Sequence, residues 1–304
     1  MHDPLYTLTQ ELADRRAATP GERRASRWLV EGLRRSTYQV WVEPFGSFHS
    51  CRPAWGMILG LSLLGGILLR PLPGLGLTLT LVGAVGFVTQ SLGWLQLGWL
   101  FPGGESQNVV GVIPTNDDVR QRVVVVAHYD TGERVWSGPA YPIVAGAAML
   151  LPPAAVAALV LPGPLWDLLV LLPLILMAAG LLALVQPGRR CANDAGVAVA
   201  LAVGQNAPLK HTELWTLFTG SRVPGLVGIQ AFLLRHGRLL ADGHFIVLEE
   251  DEGEGARLWQ RRGEAAVIAE HGYRAAILLP VTREEIGGAV SRVRSMAEAI
   301  DREA

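Results

Sequence analysis

Residues 122–131 read RVVVVAHYDT, and this stretch decides the fold. Four valines and an alanine run from Val123 to Ala127 without a polar break. β-Branched side chains favour a pleated strand. A strand that is apolar throughout is buried on both faces, as in the middle of a parallel sheet. It ends at His128, with Asp130 two residues beyond. Side chains two apart on a strand point the same way, so an imidazole and a carboxylate share one face at the strand's C-terminal end.

Strand and helix patterns alternate on either side of this stretch. Tyr38–Phe48 and Asn108–Pro114 read as strands, as do His211–Gly220, Gly243–Glu249 and Arg274–Pro280. Asp194–Gly204, Gly228–His236 and Gly263–His271 read as helices, and Arg283–Glu303 as a terminal amphipathic helix. Near the N-terminus, Ala25, Trp28, Leu29 and Leu33 recur at helical spacing with arginines, Arg15 and Arg16 among them, on the other face. Thr19 with Pro20 marks the start of that helix. The expected class is α/β: a mixed, mainly parallel sheet flanked by helices.

Two apolar stretches interrupt the pattern. A helix crossing the hydrocarbon layer needs about 20 mostly apolar residues. Spans are expected at 54–69, 75–97, 140–161 and 165–185, paired into hairpins by Arg70–Gly74 and by Pro162-Gly163-Pro164. Pro152-Pro153 should kink the third span. Trp55, Trp94, Trp99, Tyr141 and Trp166 fall near span ends, where aromatic side chains collect at the membrane surface. The composition agrees, with half the residues hydrophobic, 17% charged and a mean hydropathy of +0.31. The expected organisation is a soluble domain built from 1–52, 102–139 and 187–304, with transmembrane hairpins at 53–101 and 140–186. Both hairpins start and finish on one side. Arg52, Arg134, Arg189 and Arg190 flank the spans there, against Arg70 on the other side, so the soluble part is expected in the cytoplasm. The spans hold almost no charge and so show no ion relay.

A net charge of -1 excludes an electrostatic nucleic-acid binder. Two cysteines, Cys51 and Cys191, make neither a disulfide framework nor a zinc knuckle. No apolar run follows a basic start at the N-terminus, so no signal peptide is expected.

The order of motifs resembles the co-catalytic zinc aminopeptidases, the group that includes bacterial leucyl aminopeptidase and glutaminyl cyclase. PGERRAS at 20–26 resembles the family's opening helix and SQNVVG at 106–111 its strand before the metal site. AHYDT at 127–131 resembles its metal-binding strand end and CAND at 191–194 its GAND. The segment from Thr219-Gly220-Ser221 to Gly225-Leu226-Val227-Gly228 resembles its TG-x-EE-x-GL-x-G. The resemblance covers nearly all of the soluble portion. It implies a pair of zinc ions that activate a water, with a glutamate as general base. It makes His128 a zinc ligand, Asp130 the carboxylate that orients it, and Asp194 the bridging ligand. Glu249 is a further ligand, or Glu250 if the register slips by one.

The chain departs from that pattern in two places. Arg222 and Val223 stand where the family has its paired glutamates, so the general-base position is an arginine and no catalytic residue is expected. The last strand runs at Val281-Thr282-Arg283 almost directly into the terminal helix, so the segment with the final histidine ligand is missing. His211, His236, His244 and His271 are the histidines left to substitute. The acidic run Glu249–Glu254 reads as a solvated loop rather than a cation site. At most one zinc is expected. The expected function is an integral membrane protein with a degenerate, non-catalytic aminopeptidase-like domain that serves as a binding or scaffold module. The alternative is an active zinc-dependent membrane aminopeptidase with an atypical site. The expected partners are the bilayer and a peptide end or membrane protein, with no nucleic acid.

Overall fold

The computed structural model describes residues 4–36, 39–92, 94–115, 117–134, 140–161, 164–186, 189–204, 209–222, 225–250, 264–273 and 275–303. In chain order the main elements are α1 (Pro20–Arg34), β1 (Gln39–Phe48), α2 (Arg52–Leu68), α3 (Pro73–Ser91), β2 (Gly103–Ile113), β3 (Gln121–His128), α4 (Ala140–Val160), α5 (Pro164–Ala183), α6 (Asp194–Val203), β4 (Thr212–Thr219), α7 (Val227–His236), β5 (His244–Glu250), α8 (Glu264–Glu270), β6 (Ala275–Val281) and α9 (Ile286–Glu303). They fall into two compact units. One comprises Met1–His49, Gly103–Gly132 and Cys191–Ala304; the other comprises Ser50–Pro102 and Glu133–Arg190.

The first unit is built on a six-stranded sheet of order β1-β2-β4-β3-β5-β6. The pairs β1/β2 and β2/β4 are antiparallel, and the pairs β3/β4, β3/β5 and β5/β6 are parallel. β3 is central and buried, as its unbroken valine run requires. Its alternate side chains feed two cores. Val123, Val125 and Ala127 pack with Leu29 of α1, Val197 of α6 and Val293 of α9. Val124 and Val126 pack with Phe232 of α7 and Ile268 of α8. Thr19 caps α1, its side chain accepting the Glu22 N–H, and Pro20 takes the first helical position.

Register sets the C-terminal edge of the sheet. His128 pairs with Thr219, and Ala127 pairs with Leu248, which brings Glu249 level with His128. α6 starts at Asp194 and is buried along nearly its whole length, which its Ala, Val and Gly side chains permit. In doubly wound sheets, groups that act on ligands gather at this edge.

The second unit consists of α2 to α5 around Trp55, Ile58, Leu59, Phe87, Leu151 and Met177. α4 runs from 140 to 160 through Pro152-Pro153 as one helix. Two of the helices, α3 and α4, are long and apolar enough to cross a membrane. α2, with 17 residues, is shorter, and α5 reads as an apolar helix of similar length from Asp167. α3 stops at Ser91, short of the expected Leu97, because Trp94 N–H turns back to the Thr89 carbonyl at 2.9 Å. A 3₁₀ turn, Leu97–Leu100, follows. The hairpin α2–α3 is held by close backbone approach. A Cβ on Gly65 would lie 2.6 Å from the Thr80 nitrogen and 2.8 Å from the Gly76 oxygen, while one on Gly60 would meet nothing within 4 Å.

Those two glycines lie on the same helix and give opposite predictions. Gly60→Ala should hold or raise the thermal midpoint in detergent, since Ala in a helix is favoured over Gly by about 0.5–1 kcal/mol. Gly65→Ala should lower it by several degrees, because backbone cannot yield as a side chain does. Equal midpoints for the two variants would refute the close contact.

Candidate functional site

The C-terminal edge of the sheet gathers a buried set of charged groups. His128 ends β3 and is buried; its Nδ1 faces Asn193 Nδ2 at 3.3 Å, and the same Nδ2 donates to the Leu248 carbonyl at 2.8 Å. Burial first, then the neighbouring Arg222 and Arg15, hold the His128 pKa well below its ordinary value, so the ring is neutral. Asp130 lies buried two residues on.

Asp194 and Glu249 are buried carboxylates, and each has a guanidinium partner. Arg15 Nη2 binds Asp194 Oδ1, and Arg283 Nη2 lies 3.7 Å from Asp194 Oδ2. Arg222 Nη2 donates to Glu249 Oε1 at 2.9 Å. Burial works against the charge on Arg222, but Glu249, Glu264 and Asp130 outweigh it and push its pKa above the ordinary arginine value.

Arg15 is the principal correction to the sequence reading. Its place in a run with Arg16 suggested a solvated face, yet the side chain is fully buried. Its Nε donates to the Tyr129 carbonyl at 2.7 Å, and its Nη1 to the Leu8 and Leu12 carbonyls at 2.5 and 2.8 Å. Its backbone exchanges hydrogen bonds with Thr131, from N–H to Oγ1 at 2.8 Å and from the Thr131 N–H to its carbonyl at 3.0 Å. The N-terminal segment is thereby pinned to the loop after β3. Composition could not separate Arg15 from Arg16, because Tyr129, Thr131 and Asp194, which help to bury it, lie more than a hundred positions away.

Two further buried carboxylates had no role assigned from sequence. Glu22 accepts from Ser106 Oγ and from the Ala18 N–H, both at 2.7 Å. Burial, reinforced by Asp130, raises its pKa to about 8 against the pull of those bonds. Glu264, bonded to Thr219, is raised to about 7 by burial, which outweighs the opposing pull of Arg222 and Thr219. Gly220 shows why this neighbourhood is sequence-constrained. A Cβ there would lie 2.6 Å from both Glu22 Oε1 and the Gln107 carbonyl. Asn108 fixes the same loop, accepting the Gly220 N–H and donating to the Gly228 carbonyl.

The other histidines lie elsewhere. His244 pairs with Val123 at the opposite end of β3, and the His211 N–H donates to Asp301. His236 binds Glu43 at 2.5 Å on the β1 side, and His271 Nδ1 faces the Val267 carbonyl. Val223, the Glu250 side chain and residues 251–254 of the acidic run lie outside the described residues. Among the described residues, no group of three His, Cys, Asp or Glu side chains is arranged to hold a metal. β6 passes into the 3₁₀ turn Arg283–Glu285 and then α9, with Thr282 between them.

With this geometry in hand, the fold can be compared with solved structures. The chain matches a zinc aminopeptidase from Bacillus subtilis with a TM-score of 0.53 at 11% identity, over 97% of this chain and 93% of that one. It also resembles the aminopeptidase from Aneurinibacillus sp. strain AM-1 (TM-score 0.49, 12% identity, 97% and 91% covered). The glutaminyl cyclase of Porphyromonas gingivalis is a further neighbour (TM-score 0.44, 11% identity, 99% and 97% covered). No family model and no curated protein matches the sequence. The chain has the zinc-aminopeptidase fold, and at this identity the likeness speaks to the fold alone.

Two measurements probe the buried charges. A carboxylate whose folded pKa lies above its unfolded value stabilises the protein at low pH, and that stability fades as pH rises through the folded pKa. For Glu22 the window runs from its ordinary 4.5 up to about 8. The thermal midpoint should fall across that window, and Glu22→Gln should flatten the fall; an unchanged slope would refute a shifted Glu22. Arg15→Ala should cost on the order of 3–5 kcal/mol by stranding the Asp194 charge. Adding Asp194→Ala should recover much of that loss, whereas additive losses in the double variant would refute the pairing.

Proposed function

We propose that this chain is a membrane-anchored protein whose zinc-aminopeptidase-like unit carries out no hydrolysis and serves as a binding or scaffold module. The observation that carries this reading is that both carboxylates are held by guanidinium groups, Asp194 by Arg15 in a buried ion pair and Glu249 by the half-buried Arg222. By the resemblance, Asp194 and Glu249 are metal ligands and Arg222 replaces the general base. Arginine keeps its charge at any accessible pH and offers only donors. It cannot take a proton from water, and two guanidinium groups beside the same carboxylates repel a dication while neutralising its ligands. On this reading zinc does not fit the residues present. His128 and Asp130 then persist as a neutral imidazole and a buried carboxylate in a packed edge.

The anchoring proposal is that α2 to α5 form four spans, with the α/β unit on the cytoplasmic side. In support, only 28% and 39% of the apolar windows of α3 and α4 are buried within the structure, whereas a core helix of a soluble protein is mostly buried. Outward side chains such as Ile67, Val85 and Leu150 are apolar as well. Arg52, Arg134, Arg189 and Arg190 flank the spans on the near side against Arg70 on the far side, and that excess favours this orientation. A peptide end or a membrane protein is the partner this reading favours.

Elemental analysis of the detergent-purified protein, after dialysis against trace zinc, tests the proposal alongside an assay on aminoacyl amides. The expected result is no stoichiometric zinc and no hydrolysis. Zinc at about two ions per chain, lost together with activity in His128→Ala, would overturn it in favour of an active membrane aminopeptidase.

A further inference from the structure

The early end of α3 leaves a short segment whose chemistry the spans do not absorb. The Trp94 N–H bonds back to the Thr89 carbonyl, and the Leu97 N–H donates to Gln90 Oε1 at 2.9 Å, so the chain folds against the last turn of the helix. In the 3₁₀ turn that follows, Gly98 is buried and Leu97 packs on the apolar cluster of the helical unit. The large side chains around them point outward: Trp94 is 74% exposed, Leu95 52%, Trp99 54% and Leu100 67%. Between Arg70 and Glu105 the chain has no charged residue.

Water is a poor partner for this surface, since two indoles and two leucines would stay in contact with it. The hydrocarbon interior is poor as well, because irregular backbone exposed to lipid leaves polar groups unsatisfied. The headgroup boundary suits both constraints. Indole rings concentrate there, with an apolar body in the acyl region and an N–H that reaches polar groups. Continuity with α3 fixes the depth, since the segment begins where a spanning helix ends and finishes just before β2.

We propose that residues 94–100 form an interfacial anchor, seated at the boundary between headgroups and acyl chains on the side of the membrane where the chain enters β2. The inference rests on the reading that the helical unit crosses a membrane. The anchor's partner is the bilayer surface itself.

Indole fluorescence in phosphatidylcholine nanodiscs tests this. Wild type and the double variant Trp94→Phe, Trp99→Phe are compared in lipid brominated either near the ester end or near the methyl end of the acyl chains. An unchanged thermal midpoint certifies that the variant folds. The expected result is that the wild type shows a component quenched more by shallow bromine than by deep bromine and shielded from aqueous iodide, and that the variant loses this component. A Trp94/Trp99 component quenched by iodide but not by bromine would overturn the anchor and leave the segment in water. Shielding from both quenchers, with cross-linking between copies through Leu95→Cys, would overturn it in favour of a contact with a second chain. Release of the whole protein by alkaline carbonate is a separate result, which would refute the membrane reading itself.

Discussion

The α/β unit depends on charge compensation at one buried point. Asp194 opens α6, a helix with no polar face, and lies where solvent cannot hydrate a carboxylate. Arg15 supplies the opposite charge and, through the Leu8, Leu12 and Tyr129 carbonyls, draws the N-terminal segment onto the sheet. Remove the guanidinium and a buried anion remains, one of the costliest defects in a protein interior. Arg222 does the same for Glu249 across the site. The packing of α6 against β3 and β5 is therefore compatible with acidic side chains at its head because these cations are covalently part of the chain.

This arrangement separates two properties that travel together in a metal enzyme. A bound dication both neutralises its ligands and polarises water. A guanidinium neutralises carboxylates and donates hydrogen bonds, but it has no open coordination position and gives up no proton. On the proposed reading, the edge of the sheet keeps its folding role while its Lewis acidity is gone. Such a site is also indifferent to metal supply, since its charges are fixed at synthesis.

Much of the fold was legible because it rests on local patterning. The valine run before His128 announced a central strand, and Thr19-Pro20 announced a helix start, since each depends on neighbours within a few residues. The apolar hairpins were equally plain, but the end of α3 was not. Leu92 to Leu100 is as apolar as a span, and only the backbone bonds to Thr89 and Gln90 reveal the turn. Of the buried charged edge, the positions of His128, Asp130, Asp194 and Glu249 at or beside strand and helix ends were readable from motif order. Arg15, Glu22 and Glu264 were not, because burial of a charged residue is decided by distant segments. An arginine beside Arg16 and a glutamate at the third position of a helix carry no local mark of it.

The strand order has a consequence for the order of events during synthesis. Both neighbours of β3, β4 and β5, come after α5 in the chain. The two helical hairpins are therefore finished on the ribosome before the central strand has anything to pair with. Until then β1, β2 and β3 wait as unpaired or edge segments, with the valine run uncovered. The helical unit is the part that can organise first, and the sheet closes late, around a strand whose partners arrive only after both hairpins are made.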